Sequence, residues 1–155
     1  MAKATRPILI LIADDDADDR MLIGEAFQEN RLANELRFVC DGEELMDYLY
    51  RRGRYAEPNA APRPGLILLD LNMPGKNGRD ALAEIKAEER FRRIPIVVFT
   101  TSEAEEDIYR SYDLGVNSYI TKPVTFEGLV ELVRTLGRYW FEIVELPSGE
   151  PESER

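Results

Sequence analysis

Carboxylate side chains follow two separate apolar runs of this sequence, at positions where they could bind a cation or act as nucleophiles. Asp14 and Asp15 come directly after the run 8–13. Asp70 comes directly after the run 66–69, and a loop rich in Gly, Pro and Asn follows it. Short apolar runs bounded by turn residues predict strands that are buried on both faces, as in a parallel sheet. We therefore expect these carboxylates at the carboxyl ends of strands, where open α/β sheets form their ligand crevice.

A hydroxyl group and an ammonium group follow two further predicted strands. Thr100 comes after the run 94–99, and Lys122 comes after the run 118–121. The carboxyl ends of parallel strands lie at one edge of the sheet, so these two side chains should meet the carboxylates there. An acidic run alone is also typical of a helix start, where it complements the helix dipole. The coincidence at several strand ends favours a shared site over independent caps.

The carboxylates would repel one another at a common sheet edge, so folding requires a cation that neutralises them. Mg²⁺ suits such a pocket because proteins bind it through one or two carboxylates, waters and a phosphate. We therefore predict a site for Mg²⁺, with Mn²⁺ as an alternative, formed by Asp14, Asp15 and Asp70. The backbone carbonyl of Asn72, in the loop after Asp70, can complete the protein ligands.

These residue types together predict phosphoryl transfer to Asp70. An ionised carboxylate carries no proton to remove, so it can attack a phosphoryl group without a base and become an acyl phosphate. Lys122 can pair with the carboxylate or with a phosphoryl oxygen, and Thr100 can offer its hydroxyl to another oxygen. Positioning and charge neutralisation supply most of the catalysis in such reactions. The chain has no histidine, so a phosphohistidine donor must come from another protein.

The composition argues against several classes of function. With 30 acidic and 20 basic residues the net charge is −10, which disfavours nucleic acid and anionic membranes as partners. The lack of histidine excludes Ser-His-Asp, Cys-His and histidine-ligated metal chemistry. Cys40 is the only cysteine, so no disulfide forms within the chain and we expect a cytoplasmic location. No apolar run approaches the roughly 18 residues of a membrane span.

The elements that must position the site alternate regularly between strand and helix. Apolar runs predict strands at 8–13, 36–40, 66–69, 94–99 and 118–121, with helical periodicity after each. We predict an α/β fold of the flavodoxin-like (βα)5 type, a doubly wound five-stranded parallel sheet of strand order 2-1-3-4-5. The switch point then lies between strands 1 and 3, which brings Asp14 and Asp15 beside Asp70.

Local signals mark the ends of several helices. Asn77 is a candidate N-cap for the third helix and Thr125 for the fifth, and 102–105 has the pattern of a capping box before the fourth. Gly115 is expected to end the fourth helix. Residues 53–65 contain prolines and glycines with little periodicity, which predicts a long surface loop.

The last predicted helix is apolar on more than one side. One stripe carries Leu129, Leu132, Val133, Leu136, Trp140 and Ile143, and a second side carries Val130, Phe141 and Val144. A helix of this kind is buried on more than one face, which suggests a symmetric dimer. We place one domain at 6–143 and a C-terminal extension at 144–155. Too few residues follow for an output domain, so output should pass through partner contact or self-association.

The site residues resemble the receiver domain of response regulators in two-component signalling. The resemblance is carried by Asp14-Asp15, the segment Asp70-Leu71-Asn72-Met73-Pro74, Thr100 and Lys122-Pro123, and it extends over about 6–143. It implies that Asp70 is the phosphoacceptor for a sensor histidine kinase. It further implies that Asp15, Asp70 and the Asn72 carbonyl bind Mg²⁺ directly, and that Asp14 does so through water.

The same resemblance implies a switch pair, in which Thr100 moves toward the phosphate and Tyr119 turns inward. A finer resemblance, carried by 49–55, 100–107 and 143–147, is to small receivers that partner bacterial phytochrome-type histidine kinases. It implies such a kinase as donor and a homodimer formed through the fourth and fifth helices, the fifth strand and the C-terminal extension. The chain departs from the family at Thr101, where receivers usually carry a smaller residue.

Other functions are compatible with this fold. A Mg²⁺-dependent phosphatase could use Asp70 as its nucleophile, but many such enzymes place a second acid two residues later, where this chain has Asn72. A nucleotide or flavin binder would need a Gly-rich or hydroxyl-rich loop after the first strand. This chain has aspartates there, which would repel a phosphate. A receiver that only docks partners would leave the pocket without a use.

Overall fold

The computed structural model describes residues 7–101 and 104–138, apart from the side chains at 105 and 106. The strands are β1 (Ile10–Ala13), β2 (Leu36–Val39), β3 (Leu66–Leu69), β4 (Ile96–Thr100) and β5 (Ser118–Thr121). The helices are α1 (Ala17–Glu29), α2 (Gly42–Tyr50), α3 (Gly78–Ala87), α4 (Glu105–Leu114) and α5 (Phe126–Leu136), with a short 3-10 helix at Gly53–Tyr55. All strand pairs are parallel in the order β2-β1-β3-β4-β5, which confirms the predicted doubly wound flavodoxin-like sheet.

The register of the sheet sets the height of the residues that follow each strand. Ala13 of β1 pairs with Leu69 of β3, so the residues after them, Asp14 and Asp70, begin at the same level. The amide of Asp70 also donates to the Ala13 carbonyl over 3.0 Å. Thr100 ends β4 at the same edge, because all strands run in one direction. The sheet therefore presents these polar side chains along one rim.

Both faces of the sheet are covered, because side chains alternate between the faces along each strand. On one face, Leu11, Ala13, Ile67, Leu69, Ile96 and Val98 pack with buried residues of α2 and α3. On the other face, Ile10, Ile12, Leu66, Leu68, Val97 and Phe99 pack with buried residues of α1 and α5. The inner strands β1 and β3 are apolar throughout, and β4 is apolar up to Thr100, since both of their faces are buried, and this layer supports the loops at its carboxyl edge.

Three predicted helix ends are confirmed by the cap geometry. Asn77 accepts a hydrogen bond from the Asp80 amide at the start of α3, and Thr125 accepts one from the Gly128 amide at the start of α5. Gly115 follows α4 with φ 99°, a left-handed conformation that glycine adopts without a Cβ penalty. These caps satisfy backbone groups that a helix terminus leaves unpaired.

The start of α4 differs from the predicted capping box at 102–105. The helix begins at Glu105 with Ala104 as N-cap, and this N-cap residue makes no side-chain hydrogen bond to the helix. Alanine has no side-chain acceptor, and the Ala104 carbonyl closes the first turn by accepting two amides at 3.0 and 3.2 Å. The prediction was therefore wrong about the cap residue, whereas positions 102 and 103 lie outside the described residues.

Two strands are shorter than, or shifted from, their predicted ranges of 8–13 and 94–99. Strand β1 begins at Ile10 and β4 occupies Ile96–Thr100. Ile94 is apolar because it is buried in the core, with 3% of its surface exposed, rather than because it belongs to the ladder. Pro95 has no amide hydrogen to donate, so regular pairing of β4 starts after it.

The segment 53–65 is more ordered than the predicted surface loop. Its residues Tyr55 and Ala61 are buried, with 8% and 4% of their surface exposed. The hydroxyl of Tyr48, in α2, donates to the Pro62 carbonyl over 2.7 Å. The rings of Tyr55 and Tyr48 also pack edge to face, with centroids 5.1 Å apart. Because these contacts anchor the segment, its residues Tyr55 and Ala61 are part of the core cluster on the α2–α3 face.

Helix α5 buries one apolar stripe, consisting of Leu129, Val130, Val133 and Leu136. Leu129, Val133 and Leu136 of the first predicted stripe are thus buried and Leu132 is half-buried, whereas Val130, predicted on a second side, is buried together with the stripe. Trp140, Phe141, Ile143 and Val144 lie outside the described residues, as does the extension at 144–155. Among the helices of the described residues, none combines the length and the apolar character that crossing a membrane requires.

Candidate functional site

The carboxyl edge of β1 and β3 brings the three predicted carboxylates together. Asp14 and Asp70 are buried, with 1% and 6% of their surface exposed, whereas Asp15 is exposed. One oxygen of each carboxylate lies within 4.8 Å of the other two. The side chains therefore form one acidic pocket with an open side at Asp15.

Lys122 crosses this pocket from the end of β5. Its ammonium lies 2.6 Å from Asp14 Oδ2 and 2.9 Å from Asp70 Oδ2. A further carboxylate oxygen, Asp19 Oδ2 in the first turn of α1, lies 2.8 Å away. The amide of Lys122 donates to the Thr100 carbonyl over 2.8 Å, which fixes the backbone that carries the side chain. The lysine thus pairs with carboxylates that follow two strands and begin one helix.

The other oxygen of Asp70 is held by neutral donors. The hydroxyl of Thr100, which is fully buried, donates to Asp70 Oδ1 over 2.8 Å, and the backbone amide of Asn72 donates to the same atom over 2.9 Å. The side chain of Asn72 lies alongside, with Nδ2 3.3 Å from Thr100 Oγ1 and 3.5 Å from Thr101 Oγ1. Asp70 is therefore fixed with one oxygen on an ammonium and the other on uncharged donors.

Burial and ion pairing act in opposite directions on the charged groups of the pocket. Burial lowers the pKa of Lys122, but its hydrogen bonds to three carboxylates outweigh burial and raise the pKa overall. Burial raises the pKa of Asp14, and the hydrogen bond from Lys122 offsets this only in part. The ammonium is therefore charged at neutral pH, and a further positive charge beside Asp14 would favour its ionised form.

The loop after β3 is held by close backbone packing. A Cβ at Gly78 would lie 2.1 Å from the Asp70 carbonyl oxygen, so a larger residue there would displace the acidic pocket. A Cβ at Gly42, the first residue of α2, would lie 2.2 Å from the Lys76 carbonyl oxygen. The amide of Gly42 donates to that same oxygen over 2.9 Å. Glycines at two helix starts thus position the loop that carries Asn72.

Tyr119, the predicted switch residue, lies in β5 at the border of the site. The side chain is half-buried and packs against the apolar cluster on the α2–α3 face. Its backbone amide donates to the hydroxyl of Tyr112 in α4 over 3.2 Å. A change in the Tyr119 rotamer would therefore alter the surface between α4 and β5, and its role as a switch stays a prediction.

The residues of the pocket fit a hard divalent cation. Such ions take oxygen ligands, and the carboxylates of Asp14, Asp15 and Asp70 each offer one oxygen to a common point. The Lys122 ammonium pairs with Asp14, Asp19 and Asp70, and Asp15 adds a fourth carboxylate, so negative charge is in excess. Asp15 forms no ion pair among the residues described, which leaves its carboxylate available as a ligand. The three aspartates form a candidate metal site.

The sequence did not reveal two side chains that border the site. Asp19 belongs to the acidic run interpreted as a helix start, and the cap of α1 is in fact Asp16, which accepts two amides of the first turn. The position of Asp19 in the first turn of α1, a few residues after Asp14, was the signal that could have found it. Arg79 of α3 pairs with Asp107 of α4 at 2.6 Å and reaches the loop of Asn72. No local pattern joins residues on separate helices.

The sheet has the doubly wound strand order and carries an acidic pocket at its carboxyl edge, with a buried hydroxyl and a lysine at the rim. Together these features define a class of signalling receivers built on a five-stranded α/β sheet. Sequence comparison makes this specific, because the profile of the response regulator receiver domain matches residues 10–134. The chain belongs to the response regulator receiver domain family. This is a family of signalling domains in two-component systems rather than of classical enzymes.

Relatives resemble the chain over nearly its whole length. Response regulator Rcp1 of Synechocystis sp. is 42% identical over 143 residues, covering 92% of this chain and 95% of Rcp1. The crystal structure of Mn(2+)-bound Rcp1 has a TM-score of 0.84, with 92% of this chain and 100% of that chain covered. The phosphorylated cyanobacterial phytochrome response regulator RcpA is 44% identical, with a TM-score of 0.85 and the same coverage. The resemblance to phytochrome response regulators is confirmed.

Proposed function

We propose that Asp70 accepts a phosphoryl group from a sensor histidine kinase and that the chain signals through the resulting change of its surface. The observation that carries this proposal is the placement of the Lys122 ammonium 2.9 Å from Asp70 Oδ2, beside the candidate metal ligands. An ammonium beside the carboxylate can transfer its pairing to a phosphoryl oxygen as negative charge accumulates there. The phosphorylated form of RcpA supports the same chemistry in a similar chain.

The residues of the chain have separate roles in this proposal. Asp70 attacks the phosphorus of the phosphohistidine, a new P–O bond forms, and the bond from phosphorus to the histidine nitrogen breaks. Lys122 is already charged and desolvated, so it neutralises an equatorial oxygen without further reorganisation. Thr100 donates its hydroxyl to Asp70 in this structure and can redirect the same proton to a phosphoryl oxygen. Such redirection would free space that Tyr119 can enter.

Asp14, Asp15 and Asp70 would hold Mg²⁺ or Mn²⁺, with the backbone carbonyl of Asn72 as a further ligand. When bound, the ion supplies charge neutralisation for the phosphoryl oxygens. The Mn(2+)-bound form of Rcp1 supports this assignment. The excess of carboxylates over ammonium in the pocket provides the electrostatic reason why such an ion would bind.

The donor that fits the comparisons is a phytochrome-type histidine kinase. RcpA is described as a phytochrome response regulator and RtBRR, 37% identical with a TM-score of 0.72, as a bacteriophytochrome response regulator. We also propose a receiver domain at 6–143 and an extension at 144–155, limits that include the matched range 10–134. Partners of this chain would then be the kinase and a second copy of the chain.

The homodimer would use α4, β5, α5 and the C-terminal extension. Tyr109 and Tyr112 of α4 support this proposal, because 65% and 50% of their surfaces are exposed. Large aromatic side chains are favoured in interfaces since they bury much area at low entropic cost. Sedimentation velocity, with and without phosphorylation, tests this surface in the variant Tyr109→Asp. The control is Met21→Glu, which changes an exposed residue on α1. Self-association that survives Tyr109→Asp would contradict the proposed interface.

Phosphoryl transfer is tested by incubating the chain with Mg²⁺ and acetyl phosphate and measuring its intact mass. One added phosphoryl group is expected in the wild type and in Asp113→Asn, a change of an exposed acid on α4. No addition is expected in Asp70→Asn. A label that persists in Asp70→Asn would move the acceptor elsewhere. Multiple-turnover release of phosphate from a broad set of monoesters would instead favour the phosphatase alternative.

A further inference from the structure

An arginine–carboxylate pair joins α3 to α4 beside the acidic pocket. Arg79 Nε lies 2.7 Å from Asp107 Oδ1, and Arg79 Nη2 lies 2.6 Å from Asp107 Oδ2. This bidentate geometry is stronger and more directional than a single ion pair. The side chain of Asp107 is only 11% exposed, so its charge depends on such a partner. The pair therefore fixes the first turn of α4 against the start of α3.

The same guanidinium also contacts the loop that follows Asp70. Arg79 Nη1 donates to the Leu71 carbonyl over 3.3 Å, and Nη2 donates to Asn72 Oδ1 over 3.2 Å. These contacts determine how the Asn72 amide is oriented. Its carbonyl oxygen faces the guanidinium, which has donors only, so its NH₂ group must face the other way. Thr100 favours the same orientation, because its proton goes to Asp70 and its oxygen accepts from the amide at 3.3 Å, and Arg79 adds the one contact from a charged donor.

The hydrogen bonds continue from Asn72 to the proposed phosphoacceptor. Asn72 Nδ2 donates to Thr100 Oγ1 over 3.3 Å, and Thr100 Oγ1 donates to Asp70 Oδ1 over 2.8 Å. Each hydrogen bond in this series therefore runs from a donor to an acceptor in the same sense, from Arg79 through Asn72 and Thr100 to Asp70. It runs through the loop after β3, whereas the predicted switch residue Tyr119 lies in β5. The contacts thus connect α4 to the acidic pocket by a second route.

We propose that Arg79 is a positioning residue that makes the lifetime of the phosphoryl group on Asp70 depend on the position of α4. This proposal depends on the proposed role of Asp70 as phosphoacceptor. While α4 is docked, Asp107 holds Arg79 and Arg79 holds the Asn72 amide beside the carboxylate. A partner that displaces α4 removes Asp107 and loosens Arg79, and the amide is then held only by its longer contacts with Thr100 and Thr101.

The reaction affected is hydrolysis of the acyl phosphate. Water attacks the phosphorus, the bond from phosphorus to the Asp70 oxygen breaks, and inorganic phosphate leaves as the carboxylate is restored. An amide fixed beside Asp70 restricts the approach of water, whereas a more loosely held amide restricts it less.

A conservative substitution distinguishes two roles of Arg79: positioning the Asn72 amide, and merely joining α3 to α4. In Arg79→Lys the ammonium can still pair with Asp107, but it lacks the fork that reaches Asn72 at the same time. If Arg79 only held α3 against α4, lysine at this position would largely preserve its function. A residue that positions the amide would not be rescued, even though the folded state keeps most of its stability.

The first test measures the decay of phosphorylated full chain by intact mass, after removal of acetyl phosphate. We expect hydrolysis about threefold to tenfold faster in Arg79→Lys, with a urea midpoint close to that of the wild type. The matched control is Arg52→Lys, whose ion pair with Asp47 has the same 2.6 Å distance and lies at the end of α2. The effect should vanish when Arg79→Lys is combined with Asn72→Ala. An unchanged rate, or the same fold change in the Asn72→Ala background, would overturn the proposal.

The second test needs no phosphorylation. The side-chain amide resonances of Asn72 in ¹⁵N-labelled protein should shift in Arg79→Lys and stay in place in Arg52→Lys. An unshifted Asn72 amide would overturn the proposal by itself. If Asp70 takes up no label in the wild type, the proposed function fails. The amide resonance still decides whether Arg79 positions Asn72.

Discussion

The ammonium of Lys122 lies 2.9 Å from Asp70 Oδ2, although 52 positions of the sequence separate the two residues. The contact joins the ends of β3 and β5, which are not neighbours in the sheet, because β4 lies between them. A long side chain therefore has to cross the end of β4, and it does so above Phe99, whose ring centroid is 5.9 Å from the ammonium. The position of the cation is a consequence of this crossing.

Removing Lys122 should destabilise the metal-free protein because three carboxylates would lose a shared cation. We expect Lys122→Met to lower the free energy of unfolding by about 1–3 kcal/mol, since the pocket is partly buried. Urea denaturation in EDTA measures the loss. Added Mg²⁺ should then stabilise Lys122→Met more than it stabilises the wild type. Lys76→Met, which removes a lysine that pairs with a single carboxylate, Glu84, among the described residues, should cost less than about 1 kcal/mol. Equal losses in the two variants would contradict the shared role of Lys122.

Neutralising Asp15 should raise stability and weaken metal binding together. Its carboxylate adds repulsion to the acidic pocket without an ion pair among the described residues. We expect Asp15→Asn to be more stable by about 0.5–1 kcal/mol in EDTA and to gain little from added Mg²⁺. Thermal unfolding with and without Mg²⁺ measures both effects. Asp18→Asn, in the same acidic run, should keep the stabilisation by Mg²⁺, and undiminished stabilisation in Asp15→Asn would remove that residue from the ligand set.

Substituting Gly78 should disrupt the site through the backbone. The new Cβ would lie 2.1 Å from the Asp70 carbonyl oxygen, so β3 or α3 must move. We expect Gly78→Ala to cost about 3 kcal/mol or more and to reduce labelling of Asp70. Gly24→Ala serves as the control because a Cβ in this part of α1 meets no atom within 4 Å. That change should stabilise the helix by up to about 1 kcal/mol. Similar stability of the two variants would show that the loop adapts easily.

The protein should lose stability in alkali because of Tyr48. Burial raises the pKa of Tyr48 from 10.0 to about 12, so the folded state disfavours the phenolate. The contribution that this pKa difference makes to the free energy of unfolding is about 2–3 kcal/mol and is fully present below pH 10. It is lost as the pH rises through 12. Urea titrations between pH 8 and about 11.5 should show a smaller decline in Tyr48→Phe than in the wild type. Tyr109→Phe, which changes a ring that is 65% exposed, should decline like the wild type. A parallel decline in Tyr48→Phe would assign the effect to other groups.

Much of the architecture could be predicted because the relevant signals are local. The four-residue run Leu66–Leu69 is apolar on both faces, and it is strand β3 with those same bounds. The predicted caps at Asn77 and Thr125 also depend on a few neighbouring residues, so they hold in the folded chain. The error at 102–105 arose where a motif was judged without its helix, whose first turn is closed by the backbone of Ala104 instead.

The gathering of the acidic pocket could be predicted as well, for a topological reason. Asp14, Asp70, Thr100 and Lys122 each follow a strand, and parallel strands end at one edge. Once the alternation of strands and helices is recognised, their convergence follows without any knowledge of distances. The sequence alone thus determined which residue types meet and at which edge of the sheet.

Only the tertiary structure decided how those residues are paired. It assigned Lys122 to Asp14, Asp19 and Asp70 together, and it joined Arg79 to both Asp107 and Asn72. These contacts depend on the packing of α1 and α4 beside the sheet edge and on the reach of long side chains. Periodicity and strand ends carry no information about either, because residues on separate helices have no fixed spacing in sequence.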